Sequence, residues 1–450
     1  MDLTSRLRSI VRGGPPRPAR ELTYEPDTGG YEAAMNIAEV GAILGGRPVD
    51  TSFGQCLAID RRYEADRFHG DVRIGECEVT GFEGLRTLDP GLGSPERAAQ
   101  LDSSPGSCGS AFSGPTSSRT VFIDLETTGL SGGAGTVALL VGCGFFDLGA
   151  FQVRQFLLTS YASERALLAA VADFFEGVDL IVTYNGKTFD VPVMETRWLF
   201  HRLQMPLDGV PHFDMLHPAR RLWRARADTV DEGGCRLSTL ERALFGVTRV
   251  GDVPGSEIPG RYFRFLRSGD PRPLEPVLEH NRLDLVSLAA VMARAVRLAE
   301  DGHTSCRDEA EALALGRVFE RAEIHDRAEA CYRRALDSDV AVVKGEALYR
   351  LGLRLRRDRR FAEAAGIWRD VLRLTEPRGV RRQLAELRQF ATEALAIHHE
   401  HRERDLEGAR ELALFALEEA DGVRGEDVRH RLARLDRKLA QKKDAQLFTS

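Results

Sequence analysis

The chain has 450 residues, 43% of them hydrophobic and 29% charged, with a formal net charge of −6, an ordinary globular composition with length for two or three domains. The acidic balance excludes a generally basic nucleic-acid coat, so such a partner must meet a local basic patch. No apolar run approaches the roughly 18 residues that cross a bilayer, and the N-terminus carries no apolar signal core, so a cytoplasmic protein with no membrane contact is expected.

Residues 1–20, MDLTSRLRSIVRGGPPRPAR, are Arg-rich and interrupted by Pro and Gly, the pattern of a flexible basic arm. Residues 21–101 read as a mixed region of unassigned role, with turn signals and strand-like pieces such as DVRIGECEV. Residues 102–118 are a Ser/Gly-rich linker without periodicity. TVFIDLE, TVALLVGCGFF and FQVRQFLL then read as three strands of an antiparallel meander. ERALLAAVADFFEG reads as an amphipathic helix and DLIVTYNG as a buried strand. Further helical stretches are broken by two expected loops, ARADTVDEGG and GDPRPLEP. This order predicts an α/β domain, a central sheet with helices on its faces. Seven cysteines, scattered and never in C-x-x-C spacing, argue against a disulfide framework and against a zinc site.

From about residue 307 onward the sequence is helical and self-similar. Leu315-Gly316, Ala328, Tyr332 and Ala335 align at every offset with Leu351-Gly352, Ala364, Trp368 and Val371, at a period near the roughly 34 residues of tetratricopeptide repeats. Ala409, Ala413 and Ala416 suggest a third, looser copy. Residues 307–450 are thus expected to form an all-α tetratricopeptide-like domain, whose concave face is a place for a protein partner.

Three short motifs carry acids. In VFIDLETTGL, Asp124 and Glu126 share one face of a strand because side-chain direction alternates. Either that strand is a solvent-facing edge, or the two acids share one task. Burying two like charges is costly, and a hard divalent cation, Mg²⁺ or Mn²⁺, would relieve the cost. In YNGKTFD, Asn185-Gly186 reads as a turn and Asp190 as a helix start. In EHNRLD, His280 and Asp284 lie four apart and share a face if both are helical.

The order D-x-E, then N-x4-D, then H-x3-D resembles the DEDD exonucleases of the ribonuclease-H-like superfamily. Within them it resembles the YprB-type bacterial proteins, which pair such a domain with tetratricopeptide repeats; FIDLETTGLSGGAGT, VTYNGKTFD, HPARRLW and EHNRLD carry the resemblance. It implies a ribonuclease-H-like domain over residues 119–300 with a mixed central sheet. It also implies four metal ligands, Asp124, Glu126, Asp190 and Asp284, holding two divalent ions. His280 becomes the general base or the group that orients the attacking water. The family's His stands five residues before the last Asp, or a Tyr four before; here a His stands at four, which leaves its role open. The implied activity is 3′→5′ hydrolysis of a single-stranded DNA or RNA end. Thr127, Thr128, Leu130, Asn185 and Lys187 are matched substrate-binding candidates, with Arg220, Arg221 and Arg224 as nearby basic residues. Asp214 is expected to support structure. The alternative from another class is an inactive scaffold that binds nucleic acid and recruits a protein through its repeats.

Overall fold

The computed structural model describes residues 36–92, 119–129, 135–230, 234–375, 382–419 and 422–447; the basic arm and the Ser/Gly-rich linker lie outside them. One seven-stranded sheet organises the first three hundred residues. Its strands are β1 (Arg47–Thr51), β2 (Gly54–Tyr63), β5 (Thr120–Thr127), β6 (Ala138–Asp147), β7 (Ala150–Leu157), β8 (Leu180–Thr183) and β9 (His212–Asp214), in the order β1-β2-β7-β6-β5-β8-β9. β3 (Phe68–His69) and β4 (Val72–Arg73) form a separate small ribbon. β5, β6 and β7 pair antiparallel as the expected meander, whereas β8 and β9 add parallel to β5. The sheet is therefore mixed, and two strands from before residue 119 extend its far side.

β5 lies between β6 and β8, so the edge-strand explanation for its acids does not hold. The alternation of β5 sends Val121, Ile123 and Leu125 into one core and Phe122 into another. The first core packs under helices Glu164–Phe174, Asp190–Phe200 and Ile258–Ser268. The second packs under helix Leu216–Val230 and the long helix Glu275–Asp301. Asp124 and Glu126 share the Phe122 face, the one that meets the long helix.

Three local readings differ from the pattern. DVRIGECEV gives only the two residues of β4 and then a 3₁₀ turn, Ile74–Cys77, because Ile74 and Cys77, three apart, both bury in the core beneath the long helix. The expected loop ARADTVDEGG is helical as far as Val230, held by Ala227 in the core and by the Arg226–Asp308 ion pair. GDPRPLEP is a 3₁₀ turn, Arg272–Leu274, running into the long helix, with a proline in its first turn where no N–H is needed.

The C-terminal region is helical throughout its described residues. Helix pairs Glu309–Arg321 with His325–Ala335 and Ala341–Arg357 with Phe361–Thr375 repeat each other's contacts. A Cβ on Gly316 would lie 2.5 Å from the Tyr332 ring, and one on Gly352 2.3 Å from the Trp368 ring. Glu323 and Arg359 take the same left-handed turn conformation, with φ of 60° and 61°. Ala409, Ala413 and Ala416 are buried against Val428, Leu432 and Leu435 in a separate small core. No helix among the described residues is long and apolar enough to cross a membrane.

Candidate metal and catalytic centre

The acids meet at the C-terminal ends of β5 and β8, where parallel strands deliver loops and helix starts to one place. Asp124 and Glu126 come from β5. β8 ends at Thr183, and the turn after it puts Asn185 at φ 70° before helix Asp190–Phe200 begins at Asp190. The Leu125 N–H donates to Asp190 Oδ1 at 3.2 Å, which fixes the second element beside the first. The long helix runs unbroken through His280 and Asp284. No unwinding is needed to bring His280 to the acids: its Nε2 is 3.5 Å from Asp284 Oδ2 and 4.0 Å from Glu126 Oε1.

Burial first, and mutual repulsion after it, raise the proton affinities of Asp124, Glu126 and Asp190. Desolvation, then the charges of Asp284, Glu126 and Asp190, raise Asp124 well above an ordinary carboxylic acid, while the Asn281 hydrogen bond pulls the other way. Glu126 is raised by desolvation and by Asp284, Asp190 and Asp252. Desolvation pushes Asp190 up to about 7 against the opposing bond from the Leu125 backbone. A folded-state value above the unfolded one means that the fold holds a proton the unfolded chain has released. Stability contributed this way is greatest below the ordinary carboxylate range and is lost as pH rises through about 7. Thermal melts of metal-free protein are therefore expected to show falling stability across pH 5 to 7.5, on the order of 1 kcal/mol per pH unit for each such group.

Four neighbours of the acids were not among the expected site residues. Asn281, fully buried, donates to Asp124 Oδ2 at 2.7 Å and to its backbone oxygen at 3.1 Å. Gln155 on β7 donates to Asn281 Oδ1 at 2.8 Å and to Leu278 O at 2.9 Å. Asp124, Gly142 and Gln155 are register partners across β5, β6 and β7, and Asn281 sits over the middle one. A Cβ on Gly142 would stand 2.1 Å from Asn281 Oδ1. Gly142→Ala is therefore expected to displace Asn281, strip Asp124 of its donor and cost about 2 kcal/mol, read by chemical denaturation. The sequence did carry a signal for Asn281: it stands at i of the i, i+4, i+7 stripe completed by Leu285 and Leu288, a polar residue on an apolar face.

Asp252 and Arg249 come from the loop after helix Leu237–Phe245, where no periodicity marks them. Asp252 Oδ1 lies 2.6 Å from His280 Nδ1, an arrangement that places the proton on Nδ1 and turns Nε2 toward Glu126 and Asp284. Arg249 binds Asp284 Oδ1 at 2.6 Å and grips Glu241 with two bonds of 2.7 and 2.9 Å. Burial works against its charge, but Asp284 and Glu241 outweigh it and raise its pKa.

The remaining expected residues are placed as follows. The Thr127 hydroxyl donates to Gly129 O, and Thr128 pairs with Val137 through its backbone and its hydroxyl, so both shape the turn after β5. Leu130 lies outside the described residues. Asp214 accepts from the backbone N–H groups of Asn185, Lys187 and Leu216, the supporting task expected of it. The Lys187 side chain is partly exposed and pairs with Asp89 at 3.5 Å. A tighter set of ligand atoms, within 4.8 Å of one another, occurs at His399, Glu403 and Asp405. Its carboxylates are already engaged by Arg369 and by the Gly408 N–H, and it lies in the C-terminal region away from the acidic centre.

The pattern of the RNase H superfamily matches residues 121–296, a span that contains all four acids and His280. The Bacillus subtilis (strain 168) protein YprB is 32% identical over 326 residues, which cover 71% of this chain and 75% of YprB. With that identity running over three quarters of YprB, and with a seven-stranded mixed sheet beneath the matched span, the chain belongs to the YprB family of proteins carrying an RNase H superfamily domain.

Proposed function

We propose that the chain is a metal-dependent nuclease of the DEDD type that removes nucleotides from the 3′ end of single-stranded DNA or RNA. The observation that carries this reading is the convergence of three separate elements, β5, the start of helix Asp190–Phe200 and the long helix, on one cluster of carboxylates, in which Asp124, Glu126 and Asp190 have raised proton affinity. An all-oxygen donor set of this kind, in which only Asp284 has an arginine partner among the described residues, suits Mg²⁺ or Mn²⁺. Asp124, Glu126, Asp190 and Asp284 are the residues to hold the ions. When bound, two such ions supply an activated water and stabilise the leaving oxygen.

The chain's own residues do the rest. Asn281 fixes the rotamer of Asp124, and Arg249 fixes that of Asp284. Asp252 holds the Nδ1 proton of His280, leaving the Nε2 lone pair to accept the proton of the attacking water. The turn at Thr127 and Thr128, beside Glu126, seats the terminal nucleotide. The helix pairs that repeat Gly–aromatic contacts are read as tetratricopeptide repeats, with residues 119–300 and 307–450 as the two working units.

The test is direct. Full-length protein with Mn²⁺ or Mg²⁺ is incubated with 5′-labelled single-stranded DNA and RNA, and stepwise shortening from the 3′ end is expected. Binding without shortening, under either metal and on either strand type, would replace the enzyme with the scaffold.

A further inference from the structure

We propose that an arginine-lined groove between the Asn185 turn and the first helices of the C-terminal region is the track for the nucleic-acid strand that feeds the carboxylate centre. This inference rests on the nuclease reading and extends it to the path of the substrate. The groove has two parts that share lining residues. The first, about 750 Å³, opens at Tyr184 and Asn185 and is lined by Arg220, Arg224 and Arg236. The second, about 700 Å³, shares Arg220 and Arg224 with the first and runs on between helix Leu216–Val230 and the helices that carry Ala314, Arg317 and Val343. Its mouth is the turn that delivers Asp190, held in place by the Asn185 and Lys187 N–H bonds to Asp214.

The uncompensated charge in this groove is positive although the chain as a whole is acidic. Arg220 and Arg236 are exposed and make no ion pair among the described residues. Arg224 has only Asp228, at 4.0 Å, with both side chains more than half exposed. The other acids along the walls are already neutralised: Asp308 by Arg226, Glu311 by Arg294 and Glu346 by Arg317 and Arg350. Among the described residues, a polyanion therefore meets free cations and no free carboxylate other than Asp228. The Tyr184 hydroxyl donates to Cys235 O, which ties the end of β8 to the segment carrying Arg236. The 15-residue helix Leu216–Val230 along the floor is about 22 Å long. At 3.4 Å per stacked nucleotide that is room for about six. The first helices of the two pairs, Glu309–Arg321 and Ala341–Arg357, thereby serve as a wall for nucleic acid, a task distinct from docking a protein on a concave face.

Binding of labelled 12-nucleotide oligo-dT and oligo-U to the full chain is measured by fluorescence anisotropy, in an Asp124→Asn background that prevents turnover. The pair Arg220→Glu/Arg236→Glu is compared with Arg264→Glu/Arg267→Glu, the same charge change on the exposed side of helix Ile258–Ser268, which packs on the opposite face of the sheet. The groove pair is expected to weaken binding at least tenfold. It should also reduce the slope of log K against log salt by about 1.4, two phosphate contacts at about 0.7 each. The control pair should stay within twofold and keep the slope. Equal effects of the two pairs, in a chain whose unmutated form degrades these oligonucleotides, would overturn the groove alone. Failure of the unmutated chain both to bind and to degrade them would overturn the nuclease reading and the groove with it.

Discussion

Asp124→Ala is expected to abolish hydrolysis, with a loss on the order of 10³-fold or more, about 4 kcal/mol of transition-state stabilisation. Burial and the acids Asp284, Glu126 and Asp190 raise the proton affinity of Asp124, and Asn281 is spent on orienting it. Removing it deletes one donor and releases the side chain that the Gly142 gap exists to accommodate. The same change should not destabilise the metal-free fold, because it also deletes one buried like charge from the cluster. Two measurements check this together. Mn²⁺ should raise the Tm of the parent and fail to raise that of Asp124→Ala, and single-turnover hydrolysis should vanish in the variant. A variant that still gains Tm from Mn²⁺ and still cuts would remove Asp124 from the metal centre.

Arg249→Met is expected to cost about 3–5 kcal/mol, the scale for breaking a buried ion pair by deleting one partner. Glu241 is 1% exposed, and Arg249 is its only cationic partner among the described residues. The other neighbours of Glu241 do not replace the charge: the Ser287 hydroxyl donates to it and in turn contacts His69, whose own basicity burial lowers to about 4. Deleting Arg249 therefore strands a carboxylate in the core, frees Asp284 and loosens Asp252, which orients His280. Denaturant unfolding of metal-free protein reads the loss. Adding Glu241→Gln to the same chain is expected to recover a substantial part of it, since the stranded charge is then gone. A cost under about 1 kcal/mol, with no rescue, would show that the pair does not hold this loop.

Which acids share a face was legible for two of the three motifs, because those pairs sit in a periodic context. Asp124 and Glu126 obey the two-residue alternation of a strand, and His280 and Asp284 obey the four-residue spacing of a helix. The meander and the repeated Gly–aromatic helix pairs were legible for the same reason. Arg249 and Asp252 were not, because they lie in a loop whose positions follow no period and whose partners are about 30 residues away in sequence. Nothing in the sequence around Glu241 signals its burial, which comes from packing.

By itself the sequence determined the β5–β6–β7 meander and the helical character of the C-terminal region, since these follow from local periodicity; the set of carboxylates came from the resemblance of its three motifs to a known family. Tertiary structure decided that β5 is central and not an edge, and that β1 and β2 close the far side of the sheet. It also decided that Asn281 drops into the gap over Gly142 and that Arg220 and Arg236, from separate segments, line one groove opening at Asn185. Such facts depend on which distant segments come to lie together. A long-range pairing is set by the sum of many burial terms spread over the chain, and no short window of residues contains that sum.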